Sequence, residues 1–221
     1  EEEALYLYET ELDFEKDRSN ISLREKNGVI LEYLDRDDVK DLEPNLKKNF
    51  FKGILFKNSK FTTNPEKFVK KIFSKFLDIN GNIIKNHVSR IDQIEKSTRV
   101  FLKDNSFYDY DKVIVCAGAW SNELAKYLGE KFPMITERGY HLMYPKKAHL
   151  INRPIGIGKF GFYFTPMEDG LRAAGTVEIG SNSKNLNTKR IKWMEQKARE
   201  TFDSIGYPKM VWLGYRPTLV D

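Results

Sequence analysis

Three groups of residues in this chain have the types and spacing to do chemistry. Arg216 stands between Tyr215 and Pro217, where a planar guanidinium fork suits a carboxylate held bidentately and the proline restricts the backbone beside it. The same residues also suit a surface or salt-bridged arginine. Tyr163, set between Phe162 and Phe164, either aims its hydroxyl into a pocket or buries its ring and satisfies the hydroxyl locally. Arg138, Gly139, Tyr140 and His141 follow the proline-containing FPMITE segment and put a close-packed backbone and polar side chains where a ligand could lie.

A fourth stretch, Val113 to Ser121 (VIVCAGAWS), is an apolar β-branched run ending in small residues. It has two readings. One is a strand covered on both faces that delivers its main chain to a flat or phosphorylated cofactor; the other is a strand-to-helix turn kept small for packing.

Other chemistries are disfavoured. His87, His141 and His149 show no metal-ligand spacing, no CxxC pair exists, and there is no GxSxG, which argues against zinc and nucleophile-elbow hydrolytic chemistry. Gly156, Gly158 and Gly161 form a literal GxGxxG. A dinucleotide fingerprint needs a helix N-terminus after the glycines, whereas FYFTP continues here as a strand, so this segment reads as a flexible lead into a hairpin.

The elements that must position these residues follow from periodicity and breakers. Strands are expected at Ala4–Glu9 and Val29–Leu34, separated by a polar helical connection, and Asp35 caps a short helix through Glu43 that ends at Pro44. Thr63, Asn64, Pro65 and Glu66 open the clearest helix, with Phe68, Val69, Ile72, Phe73, Phe76 and Leu77 on one face and Gly81 as its stop. Short strands near Ile83–Lys85, Val88–Glu95 and Arg99–Lys103 precede a buried strand at Lys112–Cys116. A helix over Asn122–Leu128 then takes Ser121 as N-cap and Gly129 as stop. Gly161–Pro166 and Leu171–Ile179 pair across Asp169 and Gly170. Thr188–Ile205 is an amphipathic helix, and Met210–Leu213 a last short strand. This succession predicts part of an α/β layer.

Composition sets the bounds. With 221 residues, 40% hydrophobic and 13% aromatic, the chain can bury a core as one large domain or two modest ones. Its net charge of +5 comes from 37 basic and 32 acidic residues intermixed along the sequence, which leaves no footprint for nucleic acid. No apolar run approaches the roughly 20 residues of a membrane span; peripheral association with a membrane stays open. Cys116, the one cysteine, is expected inside the apolar strand as a small hydrophobe, fitting a reducing compartment with the cytoplasm as default. The chain starts at Glu1 without methionine, and is expected to be a piece of something longer.

Taken in order, NPEKFVKKI, VIVCAGAWS with LAKYLG behind it, FPMITERGYHL, FTPMEDGLRAAGTVEIG and WLGYRPTLVD resemble the FAD-dependent D-amino-acid oxidase and dehydrogenase superfamily, nearest its D-amino-acid dehydrogenase and glycine-oxidase branch. The resemblance implies an α+β or α/β fold: a truncated FAD-binding layer over 62–129, and a substrate domain in two parts, 1–61 and 130–221, on a mixed, largely antiparallel sheet with flanking helices. It implies that Val88 meets the adenine end of FAD through its backbone, that Ala117, Gly118, Ala119 and Trp120 line the cofactor, and that Arg138 and Gly139 lie toward the flavin ring. Arg216 would clamp the carboxylate of a small amino-acid substrate, with Tyr163 or Tyr215 as second contact, and no metal takes part. The implied reaction oxidises the C–N bond of a D-amino acid, glycine or sarcosine to an imino acid. A glycerol-3-phosphate-type flavin oxidoreductase and a non-catalytic binding module are the alternatives. The family's N-terminal glycine-rich unit and C-terminal FAD segment are not in the sequence, so weak or no FAD binding and no turnover are expected of these 221 residues alone.

Overall fold

The computed structural model describes residues 3–180 and 183–220; Glu1, Glu2 and Asp221, the last closing one of the quoted motifs, lie outside the described residues. Along the chain come β1 (Glu3–Tyr8), α1 (Glu11–Lys26), β2 (Leu31–Leu34), α2 (Arg36–Leu42), β3 (Lys52–Lys57) and α3 (Pro65–Asp78). β4 (Val88–Ile94), β5 (Ser97–Leu102), β6 (Phe107–Tyr110) and α4 (Ser121–Ala125) follow. The rest comprises β7 (Met134–Pro145), β8 (Ile155–Ile157), β9 (Phe162–Met167), β10 (Gly170–Ile179), α5 (Thr188–Thr201) and β11 (Met210–Leu219). The fold is mixed α/β and divides into two compact units: Glu1–Lys70, Gly139–Val177 and Lys184–Leu213 in the first, Lys71–Arg138, Glu178–Ser183 and Gly214–Asp221 in the second.

The first unit is built on an eight-stranded mixed sheet in the order β11-β7-β10-β9-β8-β1-β3-β2, with the ends of β7, β10 and β11 counted to the second unit. β1 and β8 pair in parallel; β1–β3, β2–β3, β8–β9 and β9–β10 are antiparallel. One sheet face carries the core: Leu5 and Leu7 of β1, Leu142 and Tyr144 of β7, and Phe162 and Phe164 of β9 are nearly inaccessible. α5 lays Ile191, Met194 and Ala198 into the same cluster, and Trp193 and Phe202 meet Phe162 and Phe164 edge-on at 5.7 and 5.0 Å, the geometry aromatic quadrupoles favour.

Local signals set the element ends. Thr10 caps α1 by accepting from the Asp13 amide at 3.1 Å, and Asp35 with Asp38 closes a capping box on α2, each satisfying backbone N–H groups that a helix start leaves orphaned. β9 and β10 turn through Glu168 and Asp169 alone. Gly170 then takes φ 151°, and a Cβ there would lie 2.3 Å from the Tyr144 carbonyl oxygen, so only glycine fits. A buried ion pair locks the start of β8: Glu43, 1% exposed, accepts from the Asn152 amide at 3.1 Å and from Arg153 Nε at 3.1 Å, while Arg153 also pairs with Glu3.

In the second unit β4, β5 and β6 form an antiparallel meander. Its core is small: Ile91, Val100 and Leu102, with Val88, Val113, Val115 and Leu124 packed against them.

Several expectations change here. The segment 112–117 forms no strand: Val113 and Val115 turn to the small core while Ile114 is 86% exposed. An extended run becomes a strand only with a ladder partner, and none pairs with it among the described residues. Cys116 is accordingly exposed, not an interior hydrophobe. Ile83–Lys85 is likewise irregular. Ser121 is the first residue of α4 and not its cap; Trp120 precedes it without a side-chain cap bond. β11 runs on through Arg216 and Pro217 to Leu219, beyond the expected stop at Leu213; it is a sheet edge, where proline costs no ladder hydrogen bond. α5 ends at Thr201, although Phe202 and Ile205 remain buried beyond it.

Candidate functional site

The residues of the VIVCAGAWS end and of β4 meet in the second unit. Val88, Ala117 and Trp120 line a pocket of about 490 Å³ together with His87, Lys126 and Tyr127. Ala117 begins a 3₁₀ turn over Gly118, Ala119 and Trp120, closed by the Trp120 amide donating to the Ala117 carbonyl at 3.1 Å. Gly118 takes φ 55°, and a Cβ added there would meet nothing within 4 Å. The main chain is therefore open on that side, and the glycine serves its backbone angle and not a crowded contact.

β11 brings its motif to the same unit. The Tyr215 ring meets Trp120 edge-on at 5.4 Å, and its hydroxyl donates to the Ser183 carbonyl at 3.1 Å. The Arg216 side chain, next in sequence, is 64% exposed, and among the described residues its ionic contact is with Glu137 at 3.5 Å. At that length and exposure the pair contributes little, which leaves the guanidinium fork able to take a stronger anion. Arg138 differs: it is buried and pairs with Glu178 at 3.2 Å. Gly139 follows it on β7.

Tyr163 lies in the first unit, on β9. Its ring is 6.1 Å from that of Tyr6 and lies over Gly156, where a Cβ would come within 2.5 Å of it. Burial raises the pKa of its hydroxyl. The three glycines of GIGKFG join β8 to β9 through a 3₁₀ turn at Gly158–Phe160, with Gly161 left-handed at φ 65°; no helix follows them. The structure thus groups Val88, Ala117, Gly118, Ala119, Trp120, Tyr215, Arg216 and Arg138 in one unit and puts Tyr163 in the other.

The FAD dependent oxidoreductase (DAO) family pattern matches residues 2–221. The chain belongs to this family. Among its relatives, a D-amino-acid oxidase from Bradyrhizobium diazoefficiens is 25% identical over 206 residues, 90% of this chain and 48% of the relative. A D-amino acid dehydrogenase from Rhizobium johnstonii is 23% identical over 224 residues, 99% of this chain and 54% of the relative. In fold the chain is similar to glycine oxidase from Geobacillus kaustophilus, with TM-score 0.87 and 15% identity over 99% of this chain and 60% of that one. It spans about half the length of the curated relatives it matches.

The residues present fit part of the family's cofactor. The pocket volume lies in the range of small-molecule sites, Gly118 exposes main chain, and Trp120, 45% exposed, offers an aromatic face. A phosphate cradle of the glycine-rich strand-to-helix kind is not formed by GIGKFG. Among the described residues no His/Cys/Asp/Glu group could hold a metal ion, and no helix is long and apolar enough to cross a membrane.

Two residues inside the quoted motifs were given no role of their own. Arg172 of β10 lies opposite Thr165 of β9, and Trp212 of β11 stacks on His141 at 4.9 Å. Alternation was their only signal: with Leu171 and Ala173 in the core, Arg172 must point from the other face of the sheet.

Proposed function

We propose that the protein of which this chain is part is a flavin-dependent oxidoreductase acting on the C–N bond of a small amino acid. In this reading the second unit supplies one wall of the FAD site, and β11 presents Arg216 to the substrate carboxylate. The observation that carries it is the edge-on contact of Tyr215 with Trp120 at 5.4 Å. It brings the strand bearing the exposed Arg216 to the turn whose open backbone at Gly118 can approach a flat ligand.

Ala117, Gly118, Ala119 and Trp120 would hold the cofactor through main chain and ring, with Val88 at the adenine end. FAD, when bound, supplies the two-electron acceptor for the Cα–H bond. The chain's own residues do the positioning: Arg216 fixes the carboxylate, with Tyr215, its neighbour on β11, or Tyr163 as the candidate for second contact. Arg138, held by Glu178, stiffens the backbone at Gly139 on the flavin side. Orientation and exclusion of water can supply much of the rate without a general acid/base dyad. The functional division of 1–61 and 130–221 as substrate domain and 62–129 as FAD domain belongs to the same reading, as does a cytoplasmic location.

The apolar side of α3, whose Phe68, Val69 and Ile72 are 55–62% exposed, and the unpaired run at Ile114 are faces for the rest of the protein, since the matched relatives are about twice as long.

The test is kinetic. In the full-length protein Arg216→Ala is expected to raise KM for a D-amino acid, glycine or sarcosine by roughly 30-fold or more, from the ~2–5 kcal/mol of a truncated charge pair. An unchanged KM overturns the carboxylate clamp. The 221-residue chain itself is expected to purify with far less than stoichiometric flavin; a fully yellow chain would show that the site is complete within it.

A further inference from the structure

The first unit contains a second cavity that the reading above does not use. It has a volume of about 470 Å³ and lies on the face of the sheet opposite α5. Four adjacent strands build it: Met167 at the end of β9 and Arg172 of β10 on one side, His141 and Met143 of β7 next to them, Met210 and Trp212 of β11 on the other. The start of α3 closes it, held in place where the Thr63 carbonyl accepts from the Glu168 amide at 3.0 Å and Asn64 Nδ2 donates to Glu168 at 2.9 Å.

Two polar atoms in this cavity are buried with nothing to bond: His141 Nε2 and Arg172 Nε. Buried polar groups are almost always paired, and an orphan guanidinium nitrogen in particular calls for an acceptor. Glu66 and Asp169 also line the cavity, yet neither forms an ion pair with Arg172 among the described residues.

We propose that this cavity binds a small organic carboxylate with an apolar body, the carboxylate accepting from the Arg172 guanidinium and from the His141 imidazole, and the body packing on Met143, Met167, Met210 and Trp212. Thioether and indole walls suit a branched aliphatic or aromatic group and not a second charge. The electrostatics agree: burial lowers the pKa of Arg172, with no anion to offset it, and burial together with the Arg172 charge pushes His141 down to about 4. His141 is thus neutral at pH 7, and its Nε2–H tautomer is a donor. A carboxylate bound here removes two penalties at once, the orphaned donors and the burial of the Arg172 charge without a counter-ion.

The experiment uses the full 221-residue chain with 4-methylpentanoate as probe and 4-methylpentanamide as its neutral counterpart. Binding is followed by Trp212 fluorescence and by the NMR titration of the His141 ring, assigned with His141→Gln. Expected are saturable binding of the carboxylate, an upward shift of the His141 pKa by about one unit or more when it is bound, and binding about tenfold or more weaker for the amide. Arg172→Gln should abolish binding while raising the His141 pKa in the unliganded chain, which reports directly that the variant is folded; Arg172→Lys should retain part of the affinity. Binding that survives Arg172→Gln, an amide that binds as well as the acid, or a His141 ring indifferent to the probe would each overturn the proposal. Binding lost in Arg216→Gln and kept in Arg172→Gln would also overturn it, while leaving the Arg216 carboxylate clamp intact.

Discussion

The two units use the same kinds of residue and reach opposite outcomes. In the first, alternation along β1, β7, β9 and β10 sends one set of side chains into a continuous cluster that α5 covers, and residues such as Leu5, Leu142, Phe164 and Met194 are fully buried. In the second, the core cluster has three buried residues, Ile91, Val100 and Leu102, and Ile114, Ile83 and Ile84 stay exposed. α3, counted partly to each unit, has no buried residue although its apolar residues fall on one face. Amphipathic pattern is a demand for a covering layer; whether the demand is met depends on which other elements are at hand. The first unit contains its layer, and the second presents apolar surface of the kind that marks an interaction face.

This contrast can be broken at the buried ion pair of the first unit. Glu43→Ala takes from Arg153, 7% exposed, its buried carboxylate partner, and is expected to cost about 3–5 kcal/mol in urea unfolding, as removal of one member of a buried pair does. A loss below ~1 kcal/mol would mean that the closed unit is not closed around this pair.

A pH titration sharpens the same point. His141 titrates near 4 in the folded chain because it is buried beside Arg172, against about 6.5 when unfolded. The unfolded chain therefore binds more protons between those values, so this group's stability contribution is fully present above pH 6.5 and is lost as pH falls through 4, up to about 3 kcal/mol. Arg172, Glu66 and Asp169 line the same cavity. His141→Gln should flatten the dependence between pH 4 and 6.5; an unchanged slope would assign it to carboxylates elsewhere.

The smallest effect belongs to the open surface. Ile72→Lys, at a position 55% exposed, should alter the stability of the 221-residue chain by no more than ~0.5 kcal/mol and reduce its self-association by light scattering. A loss of 2 kcal/mol or more would show that the α3 face is already covered in solution.

Much was legible before any coordinates. Asp35 and the Thr63–Glu66 segment marked helix starts because capping is a contact between near neighbours. Gly129 ended its helix because φ 76° is a property of one residue. The glycines of GIGKFG were recognisable as a hairpin lead from the strand pattern after them. The family was legible because its motifs lie in order along the chain.

What the sequence could not decide were properties that need a partner distant in the chain. Lys112–Cys116 has strand composition, yet no described strand pairs with it, so Cys116 is exposed and Ile114 bare. β11 passes through Pro217 because the sheet order leaves it at an edge, a fact absent from the tripeptide itself. Tyr163 and Tyr215 were equivalent candidates until the fold put them in different units, with Tyr215 against Trp120. Arg172 and His141, 31 residues apart by their numbers, share a cavity only because β10 and β7 are neighbours. By itself the sequence determined the local conformations, the family and the residue types able to bind a carboxylate. Tertiary structure decided which of those groups are buried and paired, because burial and pairing depend on long-range packing and not on chain neighbours.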